Sequence, residues 1–311
     1  MRKALLLACL LPACEGGTAQ PVGDSLRTAP YTDLPAFFDC LRENEITLVS
    51  AHRATDGTAP ENALRSIQDV VVRTGGLVEV DVATSTDGVL FLHHDDDLDR
   101  TTTGRGSAEL SWSALRELSL RDAGGRVTPL PLTRLDDLLA WSEGRALVQL
   151  DVKRGTDYRD VAAVLKEAGA QDSVVVIAYS VGQAAAIARA MPEVMISATI
   201  ERASDLDDLQ RRGVSLDHVV AWTGNERPDP TLWDALDRAG VEVIFGTLGG
   251  RDSLDASIER AGDDEAYAEL ARDGISIIAT DRPVQAAAAL QKAGRADAAS
   301  VCIPRSPRSG R

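Results

Sequence analysis

Short apolar runs recur along the chain at 47–52 (TLVSAH), 77–82 (LVEVDV), 89–93 (VLFLH), 146–152 (ALVQLDV), 174–179 (VVVIAY), 194–200 (VMISATI), 218–222 (HVVAW), 241–245 (VEVIF) and 275–280 (ISIIAT). They are rich in β-branched residues and little broken by polar ones, the pattern of strands buried on both faces. Between most of them lie amphipathic, alanine- and leucine-rich stretches, among them 160–169, 182–191, 207–213 and 232–240, and a further short helix is predicted at 35–44. Strand and helix in alternation predict a parallel sheet. About eight such units in roughly 250 residues fit a (β/α)8 TIM barrel better than an open doubly wound sheet. No Gly-x-Gly-x-x-Gly follows an early strand, which weakens a dinucleotide-binding reading. Nine runs are one more than a barrel needs, so one is expected to be an extra segment. The link from 82 to 89 is too short for a helix, so the second and third strands must connect irregularly. A turn-rich insertion at 101–135, after the third strand, is expected to overhang one end of the barrel.

The amino terminus does not share this pattern. Residues 1–13 join a basic start at Arg2 and Lys3 to an apolar run ending in small residues, the layout of an export signal. The tetrad Leu11-Pro12-Ala13-Cys14 resembles a bacterial lipobox, so lipid attachment at Cys14 and ordinary signal cleavage nearby are both open. The organisation expected is an export segment at 1–13, a linker and helix at 14–44, a barrel at 45–300 and a basic tail at 301–311. The protein would be exported: periplasmic, tethered to a membrane through Cys14, or secreted. In an oxidising compartment Cys40, before the first strand, and Cys302, after the last helix, are a candidate disulfide between the termini; two unpaired thiols are the alternative.

Composition narrows the function classes. With 44% apolar residues the 311-residue chain can bury a sizeable core. Its 48 acidic against 33 basic residues, a net charge of −15, leave no basic face for nucleic acid. An anionic substrate would need a metal or a few placed cations to attract it.

Three of the four histidines fall between positions 52 and 94. Within that fragment Glu79 and Asp81 stand two apart on a strand, so both side chains point the same way. Two carboxylates facing into a barrel otherwise filled with Val, Ile and Leu require a cationic partner, most simply a hard divalent ion. Asp151 and Lys153 repeat the spacing at the end of another strand. His52-Arg53 closes the first strand and His94-Asp95 the third, and in a parallel barrel such ends share the rim where active sites lie. Two imidazoles can divide proton removal and donation, while Arg53 and Lys153 supply fixed positive charge. His93, adjacent to His94, must point the opposite way and is read as a packing residue, as is His218.

The segments His52-Arg53, Pro60-Glu61-Asn62, Glu79-x-Asp81, Thr86-Asp87-Gly88, His94 to Thr102, Asp151-x-Lys153 and Thr280-Asp281-Arg282-Pro283 resemble, in order and spacing, the glycerophosphodiester phosphodiesterase family, within the phospholipase-C-like phosphodiesterases. The likeness spans about 47–284. It implies a TIM barrel and hydrolysis of a glycerophosphodiester to glycerol 3-phosphate and an alcohol. It further implies Ca²⁺ or Mg²⁺ on Glu79, Asp81 and Asp151, His52 and His94 as the acid–base pair, Arg53 and Lys153 on the phosphate or glycerol, and Glu61 and Asn62 supporting the substrate site. The chain departs from the family pattern at Asp151, where glutamate is usual, at Ala54 for glycine and Ala63 for threonine. It also has Phe245-Gly246-Thr247-Leu248 in place of a tryptophan-containing strand. Rival readings are lysophospholipase D or sphingomyelinase-type cleavage, which would need an apolar channel, and an inactive surface binding protein retaining the fold.

Overall fold

A computed structural model of the chain describes residues 33–297, 301 and 302; the expected export segment, Cys14 and the end of the basic tail lie outside the described residues. The strands are β1 (Leu48–Ala51), β2 (Leu77–Thr84), β3 (Leu90–Leu92), β4 (Ser119–Arg121), β5 (Val127–Pro131), β6 (Leu147–Val152), β7 (Val174–Ala178), β8 (Met195–Thr199), β9 (Val219–Trp222), β10 (Glu242–Gly246) and β11 (Ile277–Thr280). Eight of them pair in parallel in the order β1-β2-β6-β7-β8-β9-β10-β11, and β11 closes back onto β1. Helices alternate with them, so the architecture is the (β/α)8 barrel expected.

The extra run is the third. β3 runs antiparallel to the far end of β2, with Val82 opposite Leu92 and Thr84 opposite Leu90. The turn between them is tight because Gly88 takes φ 83°, a left-handed conformation that glycine adopts without a side-chain clash. Ser85 stitches it, donating to Asp87 at 2.7 Å and accepting from the amide of Val89 at 2.9 Å. His94 therefore does not end a parallel barrel strand, as its sequence position implied. The hairpin carries the chain outward and back, and the amide of His93 bonds the carbonyl of Asp81 at 3.0 Å, which returns His94 to the same rim.

Period-two alternation sorts the barrel strands. Val49, Val78, Val80, Val148, Val174 and Val176 point outward into the main core beneath the helices. Leu48, Leu77, Leu147, Val175, Met195, Val220, Ile244 and Ile277 point inward and fill the lower barrel. Helix α1 (Leu34–Glu43) plugs that lower end with Leu34, Phe37, Phe38 and Leu41. One layer higher the interior is not the aliphatic filling the composition suggested: Ser50, Gln149 and Ser197 are buried there, and Ser50 donates to Gln149 Oε1 at 2.9 Å. This polar layer also holds Glu79, opposite Gln149, and lies under Asp81 and Asp151.

The insertion forms a hairpin, β4 against β5, and has a small core of its own from Phe91, Leu98, Leu115, Leu120 and Leu132. Its tip reaches back over the rim, where the amide of Ala123 donates to the carbonyl of Thr58 at 3.4 Å.

Cys40 on α1 is disulfide-bonded to Cys302, with Cα atoms 5.6 Å apart at a sequence separation of 262. The bond fastens the plug of the barrel floor to the carboxyl-terminal end. Cys40→Ser is expected to lower the unfolding free energy by about 2–5 kcal/mol, since the open chain regains the conformations that the closed loop excludes. Denaturant melts of the variant, and of the wild type with dithiothreitol, should show the same loss; unchanged midpoints in both would refute it.

Candidate active site

The carboxyl ends of β1, β2, β6, β7 and β11 meet at one rim. Because β2 and β6 pair with Glu79 opposite Gln149 and Asp81 opposite Asp151, the alternation that buries the leucines below turns all three acids inward above them. Carboxylate oxygens of Glu79, Asp81 and Asp151 lie within 4.8 Å of one another, and all three residues are buried. Burial, then the neighbouring Asp81, pushes the Glu79 carboxyl up from its ordinary value. Burial also acts to raise Asp81, but Lys153 and Asn62 outweigh it and hold that group low.

Lys153 answers part of this charge. Its Nζ lies 2.6 Å from Asp81 Oδ1 and 2.7 Å from Asp151 Oδ2. Burial opposes the ammonium charge, yet Asp81 and Asp151 raise its pKa. Lys153, with Arg53 3.9 Å from Asp81, still leaves negative charge over on three clustered carboxylates, and a donor set made only of oxygens suits a hard divalent cation. The residues therefore fit the metal that the motif pattern implies.

Each histidine is held by a carboxylate. His52 Nδ1 lies 2.7 Å from Asp281 Oδ1 and His94 Nδ1 lies 2.6 Å from Asp95 Oδ1. A carboxylate on Nδ1 selects the tautomer in which that nitrogen carries the proton, so Nε2 is left to accept or return one. Burial tends to lower the pKa of His52, but Asp281 and Glu79 outweigh it and the imidazole is raised above its ordinary value. Asp281 is in turn fixed by buried Asp255, which accepts from the amide of Asp281 at 2.7 Å and from the hydroxyls of Thr280 and Tyr267 at 2.8 and 2.7 Å.

Beyond β1 the backbone kinks: Arg53 and Ala54 take φ of 52° and 50°. Ala54 thus occupies a position that glycine would hold without strain. The kink aims the Arg53 amide at Glu79 Oε2, 2.7 Å away, and its guanidinium at Glu61, 3.3 Å away. Among the described residues Arg53 Nε is buried without a hydrogen-bond partner, a donor set toward the carboxylate cluster with Asp81 Oδ2 at 3.9 Å. Glu61 is clasped by Arg100 through two bonds of 2.7 and 2.8 Å, and Arg100 also holds Asp95 at 2.6 Å. Asn62 commits both ends of its amide to Asp81, donating to Oδ2 at 2.7 Å and accepting from the backbone amide at 3.0 Å. Glu61 and Asn62 therefore shape the site by holding Arg53, Arg100 and Asp81.

The structure brings together every candidate chosen from sequence: His52, Arg53, Glu61, Asn62, Glu79, Asp81, His94, Asp151 and Lys153. His93 points away, buried, and bonds the carbonyl of Asp97 at 2.9 Å. His218 lies in a short helical turn, Leu216–His218, just before β9. Sequence reasoning gave no role to Asp281, although its motif was noted, nor to Arg100 and Asp95 as a unit. It missed Tyr179, whose hydroxyl donates to Asp151 Oδ2 at 2.9 Å. The inward parity of positions 177 and 179 was the available signal for that tyrosine.

A cavity of about 150 Å³ descends from the acids into the barrel, with Trp222 and Leu248 among its walls. The tryptophan missed in the β10 segment is thus supplied by the neighbouring strand. Gly246 makes room for it, since a Cβ there would lie 2.6 Å from the Trp222 ring, while Phe245 turns outward against Trp233.

The family model described as the Glycerophosphoryl diester phosphodiesterase family matches residues 52–246. A glycerophosphodiester phosphodiesterase of Caldanaerobacter subterraneus is 36% identical over 78 residues, 25% of this chain and 31% of that protein. Glycerophosphodiester phosphodiesterase 1 of Rattus norvegicus is 39% identical over 70 residues, 22% of this chain and 21% of that protein. The chain thus matches less than a third of either relative's length. Among solved structures, a glycerophosphodiester phosphodiesterase from Agrobacterium tumefaciens superposes with TM-score 0.63 at 26% identity, covering 78% of this chain and 100% of that one. A glycerophosphoryl diester phosphodiesterase from Parabacteroides distasonis shares the fold with TM-score 0.77 at 24% identity over 91% of this chain and 97% of its own. So does an Oleispira antarctica phosphodiesterase, solved with its product sn-glycerol-3-phosphate, with TM-score 0.64 at 19% identity over 80% of this chain and 99% of its own.

Proposed function

The chain belongs to the glycerophosphoryl diester phosphodiesterase family, and from that premise we propose that it hydrolyses glycerophosphodiesters to glycerol 3-phosphate and an alcohol, with His52 and His94 moving the protons. The observation that carries this reading is the pair of histidines, each fixed at Nδ1 by its own carboxylate, on a rim that also holds three acids and two cations. In the first step one imidazole Nε2 takes the proton of the glycerol 2-hydroxyl as its oxygen bonds to phosphorus. The other protonates the departing alcohol oxygen as the old phosphorus–oxygen bond breaks, leaving a cyclic phosphate. Water then opens the ring with the two roles exchanged. Arg53 and Lys153 orient the diester through its phosphoryl oxygens, Arg53 with the Nε donor that has no hydrogen-bond partner among the described residues. A Ca²⁺ or Mg²⁺ ion held by Glu79, Asp81 and Asp151 would neutralise charge growing on those oxygens.

Purified protein lacking residues 1–13 should release glycerol 3-phosphate from at least one of glycerophosphocholine, glycerophosphoethanolamine, glycerophosphoserine and glycerophosphoglycerol with one of the two metals. Absence of turnover across the panel, with metal bound by calorimetry, would favour a non-catalytic binding protein instead. We also propose that the protein acts outside the cytoplasm; the amino-terminal pattern and the Cys40–Cys302 bond both support an oxidising compartment.

A further inference from the structure

On the side of His52 away from the barrel cavity, the cleft opens into a groove of about 700 Å³, bounded by Arg53, Glu61, Arg100 and Asp281 on the barrel rim and by the insertion hairpin from Arg121 to Gly125. His52 lines both spaces. A diester whose phosphorus sits beside His52 can send one arm into each of these spaces. The narrower barrel cavity, with its Trp222 and Leu248 walls, suits the small glycerol arm that every substrate shares. The wider groove is left for the arm that varies.

Charges on the groove wall are unevenly satisfied. Glu61 holds Arg53 and Arg100, and Arg100 also holds Asp95. Asp281 holds His52 and accepts from the amide of Gly249 at 3.3 Å. Asp122 holds Arg126 and accepts from the amides of Gly124 and Arg126. Arg121 is the exception, because its Nε donates to the carbonyl of Thr102 at 2.7 Å and its NH1 to that of Gly125 at 3.0 Å, and no carboxylate pairs with it among the described residues. Two neutral carbonyls fix the guanidinium without cancelling its charge. The backbone beneath it is equally fixed, with the Arg121 amide on the carbonyl of Thr101 at 2.7 Å. A half-buried, immobilised and unneutralised guanidinium with donors to spare is a receptor for an anion.

We propose that this groove receives the alcohol arm of the diester and that Arg121 makes the enzyme favour alcohols carrying an anionic group, a carboxylate or a second phosphate. The inference rests on the phosphodiesterase reading and deepens it. It is tested with matched substrate pairs that differ by one charged group: glycerophosphoserine against glycerophosphoethanolamine, and glycerophosphoglycerol bearing a terminal phosphate against glycerophosphoglycerol itself. In the wild type kcat/KM should be about tenfold higher for the anionic member of at least one pair, the size of a single charge-assisted contact. The pair that shows it tells carboxylate from phosphate, and the ratio should shrink as salt is raised. Arg121→Gln should bring that ratio close to one, and Arg121→Lys should keep part of it. A wild-type ratio near one in both pairs overturns the proposal, even where a variant fails to fold. A ratio that survives in Arg121→Gln, whether all rates fall together or none does, overturns it too. Absence of turnover for any substrate would instead sink the phosphodiesterase reading, so the two failures are distinguishable.

Discussion

Replacing His52 with alanine is expected to slow glycerol 3-phosphate release from glycerophosphocholine by about 10²- to 10⁴-fold, and replacing His94 by a similar factor, because each removes one of two proton transfers in the same step. The double variant should be little slower than the worse single one, since residues acting as a unit give non-additive losses. Undiminished turnover in either single variant would remove that histidine from the mechanism. Asp281→Asn supplies a finer test of how His52 is positioned. The Asp281 hydrogen bond is the largest influence raising the His52 pKa. Its loss should therefore move the limb of the kcat/KM profile set by His52 to lower pH, besides slowing the reaction by about tenfold through a misaligned imidazole. A merely structural Asp281 would lower the melting temperature and leave the profile where it was.

Glu79→Gln is expected to abolish turnover and to have opposite effects on stability with and without metal. In the wild type three carboxylates within 4.8 Å are met by Lys153 and, more distantly, by Arg53, an arrangement whose repulsion and desolvation are unfavourable until a divalent ion enters. A saturating metal, at about a hundred times its dissociation constant, should add about 2.7 kcal/mol to the wild-type protein. EDTA should remove that gain and the activity together. The glutamine keeps an oxygen for the Arg53 amide while deleting one negative charge. Without metal the variant should therefore be more stable than wild type, by about 1–2 kcal/mol, and with metal it should gain little. Thermal melts in EDTA and in excess Ca²⁺ or Mg²⁺ read both effects. A variant that is less stable in EDTA and still gains fully from metal would place the ion elsewhere.

Much of this site could be read from local pattern. The spacing of Glu79 and Asp81, repeated at Asp151 and Lys153, identified an inward-facing charged layer, and the clustering of histidines marked the correct fragment. The error at the third run arose because an apolar run of five residues looks alike in a barrel strand and in a hairpin arm; only pairing distinguishes them. The polar layer of Ser50, Gln149 and Ser197 was passed over because each residue stands alone in its own strand, and the layer exists only where the strands align.

The sequence by itself determined which side chains face the barrel axis, since direction along a strand is a property of the local backbone and alternates with every residue. Tertiary structure decided which of them touch. Asp281 fixes His52 across 229 residues because closing the barrel makes the last strand a neighbour of the first. Lys153 bridges Asp81 and Asp151 because β2 and β6 pair in a register that places those two acids side by side. Arg121 faces the catalytic rim because an insertion with its own small core folds back and ties its tip to Thr58. Contacts of this kind depend on how separate segments close upon one another, and periodicity within a single segment carries no information about that.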